Sequence, residues 1–370
     1  MTAGGRRSLS RRALLVSAGA AALVAAGTVP WPAPASGAPD PEVLRDRIRA
    51  SATQPYTGLA ETSGRLGLPD LPPLEQATAL FTGTTRIRAF HAGPQRWRVD
   101  ELTAAGERDI YHLDGVESLW DFGSQRLTRI VGTTSLRLPR AADLLPPDLA
   151  RRILAAAPDD PVEALPDRRV AGRTAAGIRV SPADPDTTVA HVDIWADATG
   201  GLPLRVEISG RTDPARPVLI SELTSVDLTA PADDVLVPTL PPGGTAAEVA
   251  ATDLTGALRV LGPSAPPGRL AGRGRLPRFP DLPGIGVYGT GLGGFVLVPV
   301  TGRIAAQAVD GAAAAGGVPV TVPNGRAVAV STPLLSVVIR AGGRRGALLV
   351  GTVSPAVLTE AVTELSGRAP

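Results

Sequence analysis

Between Tyr56 and Thr133 the chain is cut into short two-faced runs by pairs of turn-forming residues. The runs are Tyr56 to Leu68, Thr84 to His91, Arg96 to Thr103, Glu107 to Leu113, Glu117 to Phe122 and Arg126 to Val131. Ala92-Gly93-Pro94, Ala105-Gly106, Asp114-Gly115 and Gly123-Ser124 stand between them at the spacing of tight antiparallel hairpins. No helix-length segment is read between these runs, so parallel pairing has no crossover to use. One continuous antiparallel sheet is expected.

The side-chain period fixes the faces of that sheet. Trp97 and Val99 alternate with Arg96 and Arg98; Val192, Ile194 and Ala196 alternate with Asp193, Trp195 and Asp197; Leu204, Val206 and Ile208 alternate with Arg205, Glu207 and Ser209. One face is therefore expected to be apolar. Asp40 to Ala52 reads as a short helix with Asp40 as N-cap, Pro41 at its first position and Val43, Leu44 and Ile48 on one face. A second helix is expected from about Asp148 to Ala156, with Leu149, Ile153 and Leu154 as its apolar stripe, and it needs an apolar partner. The prolines of Leu66 to Leu74 exclude helix interior and central strand, so a surface loop or rim is expected there. Strands resume at Arg168 to Val180, Ala190 to Ala196, Leu202 to Ser209 and Pro217 to Leu228. The order is thus helix, about six strands, helical insert and about four strands.

Aromatic residues make up only 3% of the chain while Gly and Pro number 42 and 37, so a core must come from Val, Leu, Ile and Ala between many turns. All 37 basic residues are Arg, as a GC-rich bacterial genome would give. Without Lys there is no Schiff base and no P-loop lysine, and without Cys there is no thiol nucleophile, thiolate metal site or lipid-modified Cys.

Residues 1 to 38 read as a signal or anchor segment: Arg6, Arg7, Arg11 and Arg12, then an apolar run from Ala13 to Val29, then Ala33, Ala35, Gly37 and Ala38. Ser10-Arg11-Arg12-Ala13-Leu14-Leu15 resembles a twin-arginine export signal. Cleavage is expected, with an uncleaved anchor over 13 to 29 as the alternative. The whole chain carries +2 and this segment +4, so the remainder carries −2. That remainder lacks the basic field that nucleic acid binding requires.

From Thr229 to Gly244 the composition is that of a linker, and Pro263 to Pro283 is rich in Pro, Gly and Arg and reads as mobile. Thr252 to Leu261 reads as a strand or a short helix. Beyond lie Phe295 to Val300, Ala327 to Val330, Leu334 to Arg340, Ala347 to Val350 and a helix opened by Ser354-Pro355, which together suggest a small α+β module. The expected division is 1 to 38, 39 to 230, 231 to 283 and 284 to 370.

Gly284-Ile285-Gly286-Val287-Tyr288-Gly289 matches G-x-G-x-x-G, but no strand precedes it and a β run follows, so a Gly-rich hairpin is expected in place of a dinucleotide site. His91, His112 and His191 are the three histidines, spaced unlike a metal motif. They are expected on a polar strand face or rim. No nucleophile elbow occurs. Neither cofactor nor metal is expected, nor an enzyme.

Several words resemble a known group. Tyr56-Thr57-Gly58-Leu59, Arg65-Leu66-Gly67-Leu68-Pro69, Arg96-Trp97-Arg98-Val99-Asp100, Leu138-Pro139-Arg140-Ala141-Ala142-Asp143-Leu144-Leu145-Pro146-Pro147 and Trp195-Ala196-Asp197 resemble the RseB/MucB and LolA-like exported proteins. The likeness spans about residues 40 to 230. It implies an α+β, mainly antiparallel fold: an unclosed β-barrel with helices on its concave face, followed by a smaller C-terminal α+β domain. It also implies binding of acyl chains of a lipid or lipoprotein and, for RseB-like members, restraint of a membrane anti-sigma factor in envelope-stress signalling.

An apolar hollow covered by an amphipathic helix can hold acyl chains if the helix moves aside at modest cost, since burial returns about 0.8 kcal/mol per methylene. The candidate lining is Trp97, Val99, Leu119, Trp120, Phe122, Ile194 and Trp195, with Leu144, Leu145, Leu149 and Ile153 on the lid. Three functions remain open: an RseB-like regulator, a LolA-like carrier and a structural envelope protein without ligand.

Overall fold

The computed structural model describes residues 39–67, 75–104, 106–132, 137, 139–251, 265–277 and 284–367. The leader, most of the proline segment after Leu66 and the stretch from Thr252 to Leu261 lie outside them.

The main element is a sheet of twelve strands in the order β12-β6-β5-β4-β3-β2-β1-β11-β10-β9-β8-β7. The strands are β1 (Tyr56–Gly64), β2 (Thr84–Gly93), β3 (Arg96–Thr103), β4 (Gly106–Leu113), β5 (Val116–Asp121), β6 (Arg126–Val131), β7 (Val162–Val170), β8 (Arg173–Val180), β9 (Val189–Asp197), β10 (Pro203–Gly210), β11 (Pro217–Asp227) and β12 (Thr245–Ala250). Every neighbouring pair is antiparallel except β12 with β6. The end strands β12 and β7 do not pair with each other, so the sheet is large and unclosed.

Three features differ from the sequence expectation. A helix, α2 (Glu75–Thr82), stands between β1 and β2, so that connection is not a tight hairpin even though the two strands pair. The run from Arg168 to Val180 is two strands, because Ala171 and Gly172 have φ of +48° and +76° and make a two-residue turn. Positive φ at both central positions is also the hairpin geometry of Asp114-Gly115. Residues 245 to 250, inside the expected linker, form β12 on the edge of the sheet.

Helix α1 (Pro41–Ala50) is capped by Asp40, whose carboxylate accepts from the N–H of Glu42 at 2.8 Å and of Val43 at 3.4 Å. It buries Leu44 and Ile48, but Val43 is 46% exposed and is not part of the buried stripe. Helix α3 (Pro146–Ala156) starts two residues before the expected position, with prolines in its first turn where missing N–H groups cost nothing. Leu44 and Ile48 of α1 and Ala150, Ile153 and Leu154 of α3 pack on Ala176, Ile178, Val192, Ile194 and Val206. A second cluster joins Tyr56, Ala60, Ile87, Ala89 and Val99 to Ala141, Leu144 and Leu145 of the insert. The helices therefore lie on one face of the sheet, called the inner face below.

The C-terminal region is a six-stranded antiparallel sheet ordered β15-β16-β20-β19-β18-β17. Its strands are β15 (Gly286–Tyr288), β16 (Phe295–Thr301), β17 (Val318–Val320), β18 (Arg326–Ser331), β19 (Ser336–Gly342) and β20 (Arg345–Gly351). A small hairpin, β13 (Arg269–Leu270) and β14 (Arg273–Gly274), precedes it. Helix α4 (Gly302–Ala314) covers one face through Ala305, Val309 and Ala312, and α5 (Pro355–Gly367) covers the other through Val357, Leu358 and Val362. Alternation along β19 sends Val338 to α5 and Ile339 to α4. The glycine motif at 284 to 289 leads into β15 and the β15–β16 hairpin, so a strand and not a helix follows it.

The two sheets touch through Thr187, which is 2% exposed and bridges to Val353. Arg273 adds an ion pair to Asp184 at 2.7 Å, and the Thr188 hydroxyl donates to the Leu334 carbonyl. Among the described residues, no helix is long and apolar enough to cross a membrane.

Candidate functional site

The inner face is divided by how well the helices cover it. Over β8 to β11 the cover is complete: Ile178, Ile194, Val206 and Leu154 are all fully buried. Over β3 to β5 it is not. There a cavity of about 510 Å³ opens between the strands and the start of the insert. Val99, Ile110 and Leu119 form its floor, Leu80 of α2 and Pro139 and Ala141 of the insert its wall, and Arg108, Glu101, Asp121, Arg140 and the buried Asp109 its polar border. Cross-strand register explains the floor, since Val99 pairs with Ile110 and Ile110 with Leu119. Residues directly opposite share a face.

A smaller cavity of about 240 Å³ lies on the other side of the insert, between Tyr56, Ala89, His91 and Trp97 of the sheet and Leu145, Asp148 and Arg151 of the lid. Its aromatic wall is made of stacked pairs. Tyr56 lies on His91, and Trp97 on His112, each with ring centroids 5.2 Å apart. His91 Nδ1 is 3.2 Å from the Gln54 carbonyl, and burial pushes its imidazole below the usual histidine range. The expectation of a polar face or rim therefore does not hold for His91, which is 7% exposed on the inner face.

The insert is tied down by charge. Asp143 accepts from Arg137 at 2.6 and 2.8 Å, from the Arg140 N–H at 2.8 Å and from Arg152 at 2.6 Å. Burial alone would raise its pKa, but the Arg137 and Arg140 hydrogen bonds and the Arg152 charge hold the carboxyl below the ordinary carboxylate range. Arg140 then reaches Glu117 of β5 at 2.7 Å, and the Ser221 hydroxyl of β11 donates to the Leu144 carbonyl.

The eleven residues expected to line the hollow are not all brought together. Val99, Leu119 and Trp120 border the larger cavity, and Trp97, Val99 and Leu145 the smaller. Trp120 pairs with Asp109 and so leaves β5 on the side opposite to Leu119, bordering the cavity from the strand itself. Leu144, Ile153 and Ile194 are buried core, and Leu149 is packed against it. Trp195 alternates with Ile194 onto the other face, where its Nε1–H donates to the Pro166 carbonyl at 3.1 Å and Arg168 lies 4.1 Å over its ring. Phe122 lies past the end of β5, 48% exposed.

The cost of lifting the lid helix is set by its buried face. Displacing α3 would expose Ala150, Ile153 and Leu154, at about 1.5–3 kcal/mol for each large side chain. The larger cavity lies beside α3, against the residues that precede it, and the smaller one reaches Asp148 and Arg151 of α3 itself.

Sequence reading missed Leu80, Ile110, Ala141 and Arg140 as border residues. Ile110 was recoverable, since alternation puts it with His112 and Arg108 on one face of β4. Leu80 was not, because α2 had not been recognised.

No family model matches the sequence, and no curated protein does. Solved structures do. The complex of MucA and MucB from Pseudomonas aeruginosa matches at 16% identity and a TM-score of 0.48, over 87% of this chain and 97% of that one. A structure of MucB in complex with MucA(peri) matches at 16% and 0.46, over 87% and 97%. A LolA superfamily protein from Nitrosomonas europaea matches at 13% and 0.25, over 54% of this chain and 99% of that one.

Proposed function

We propose that this chain is an exported, non-enzymatic protein that binds an acyl chain of a lipid or lipoprotein in the cavity on the inner face, and that it acts as an RseB-like regulator whose protein partner is a membrane anti-sigma factor. The observation that carries the binding reading is the half-open cavity floored by Val99, Ile110 and Leu119. Its volume of about 510 Å³ falls in the range of small-molecule sites, and its floor is aliphatic. Arg108, Glu101, Asp121 and Arg140 stand at its border and keep contact with water, so they can meet a headgroup without being desolvated.

The regulatory role follows the sequence resemblance, and the basic-apolar-small order of residues 1 to 38 supports export. Scattered histidines and the absence of Lys and Cys from the chain leave few groups for covalent chemistry.

The test is extraction of the purified mature chain with organic solvent followed by mass spectrometry. Acyl lipids recovered in near-stoichiometric amount, together with capture of a membrane anti-sigma factor, support the regulator. Lipids without that capture support a carrier, and recovery of neither sinks both.

A further inference from the structure

The outer face of β2 to β4 carries a buried charge cluster, of which Asp109 and Arg98 also reach the edges of the larger and the smaller inner cavity. Arg98 Nε donates to Asp100 Oδ1 at 2.6 Å and its Nη2 to Asp109 Oδ2 at 2.9 Å. Arg88 donates to Asp100 Oδ2 at 2.8 Å and to Glu107 Oε2 at 2.7 Å. Asp100 is fully buried and Asp109 is 2% exposed. The two carboxyls lie directly opposite each other on β3 and β4. Three carboxylates against two guanidiniums leave one negative charge over, and Asp109 Oδ1 is buried with no donor. Oxygens of Asp100, Glu107 and Asp109 approach within 4.8 Å, but Arg88 and Arg98 already stand where a cation would sit. A proton fits the vacancy better.

A strap crosses this face. Residues 228 to 244 must connect β11, beside β1, to β12, beyond β6. On the way the turn Asp233–Leu236 packs on β3 and β4, with Leu236 fully buried and Asp233 held by Arg96 at 3.1 Å. Val237 and Pro238 then roof a cavity of about 630 Å³ over Tyr111, Leu113 and Leu127.

We propose that Asp109, set against Asp100, forms a proton-operated latch for this strap: holding a proton it leaves the cluster neutral and the strap closed, and losing it, it loosens the strap. The groups facing Asp109 are Arg98 and Asp100 of β3, Glu107 and Tyr111 of β4, Arg88 of β2 and the uncharged Trp120 of β5. Arg129 of β6 is a further strand away and engages Glu248 of β12 at 3.8 Å. Tyr111, whose hydroxyl donates to Asp109 Oδ2 at 3.4 Å, borders the cavity that Val237 and Pro238 roof, so a charge left on Asp109 favours water entering beneath the strap. Hydration gained on lifting relieves the remaining charge.

Burial, and then the Asp100 charge, push Asp109 up to about 7. The closed state thus binds the proton more tightly than a lifted, hydrated one, whose carboxyl titrates near the ordinary value. Closure is strongest in acid, weakens as pH rises through the window between those two values, and is level above about 7.

Hydrogen exchange on the full mature chain, corrected for the intrinsic pH dependence, tests this at the amides of 233 to 250. Protection is expected to fall by up to about tenfold per pH unit between about pH 5 and 7 and then to level off. Asp109→Asn, which mimics the protonated carboxyl, is expected to hold the acid-side protection at every pH. Asp233→Ala, which removes the Arg96 tie, is expected to lower protection at every pH while keeping the slope. A flat wild-type profile, or the wild-type slope persisting in Asp109→Asn, overturns the latch.

Discussion

Arg140, at the border of the larger cavity, meets Glu117 at 2.7 Å and so joins the insert ahead of α3 to the start of β5. Both side chains are about a quarter exposed, 23% and 26%, so the contact is a partly wetted clasp and not a buried ion pair. Its contribution to stability is small, about 1 kcal/mol or less. Its position matters more than its strength, because Arg140 borders the cavity and lies outside the packed face of α3.

Arg140→Ala is accordingly expected to lower stability by no more than about 1 kcal/mol while speeding both uptake and release of a fluorescent fatty acid. Stopped-flow fluorescence beside a denaturant titration checks this. Unchanged rates would mean that the cavity is entered elsewhere.

Leu154→Ala should behave in the opposite way. Leu154 is fully buried between α3 and the sheet, and its truncation is expected to cost about 2–5 kcal/mol with little effect on ligand affinity once the protein is folded. A urea midpoint and a binding isotherm separate the two effects. A large loss of affinity at small stability cost would place ligand beneath α3.

The insert's anchor sets an acid dependence. Asp143 is held below the ordinary carboxylate range, so its contribution is present above the unfolded-state value and is lost as pH falls through the lower folded-state value. Asp143→Asn is expected to lower the melting temperature at neutral pH and to close the gap with the wild type in acid, as thermal melts across that range would register. An equal deficit at all pH values would assign its role to shape and not to charge.

Much of this fold was legible because hairpin chemistry and alternation are local. Asp114-Gly115 adopts the turn its residues imply, and Leu44, Ile48, Ile153 and Leu154 bury as their helical spacing requires. What was not legible depended on backbone or register. Ala171-Gly172 turns inside a run that reads as one strand, and α4 is made largely of Ala and Gly, so its apolar stripe has little contrast. The site was read less well than the fold. Alternation separates Leu119 from Trp120 and Ile194 from Trp195, yet grouping them by hydrophobicity alone put both members of each pair in one hollow. The pairing of Asp100 with Asp109 needs the β3–β4 register, which neither strand carries by itself.

Affinity of the purified chain for a fluorescent fatty acid, compared between wild type and Leu119→Trp, bears most directly on the inner-face cavity. Leu119 is half-buried on its floor, so the indole should fill volume with little cost to the fold. A loss of binding of at least about tenfold with an unchanged melting temperature is the result expected of a cavity that holds the acyl chain. Wild-type affinity retained in Leu119→Trp, or no saturable binding by the wild type, would contradict it.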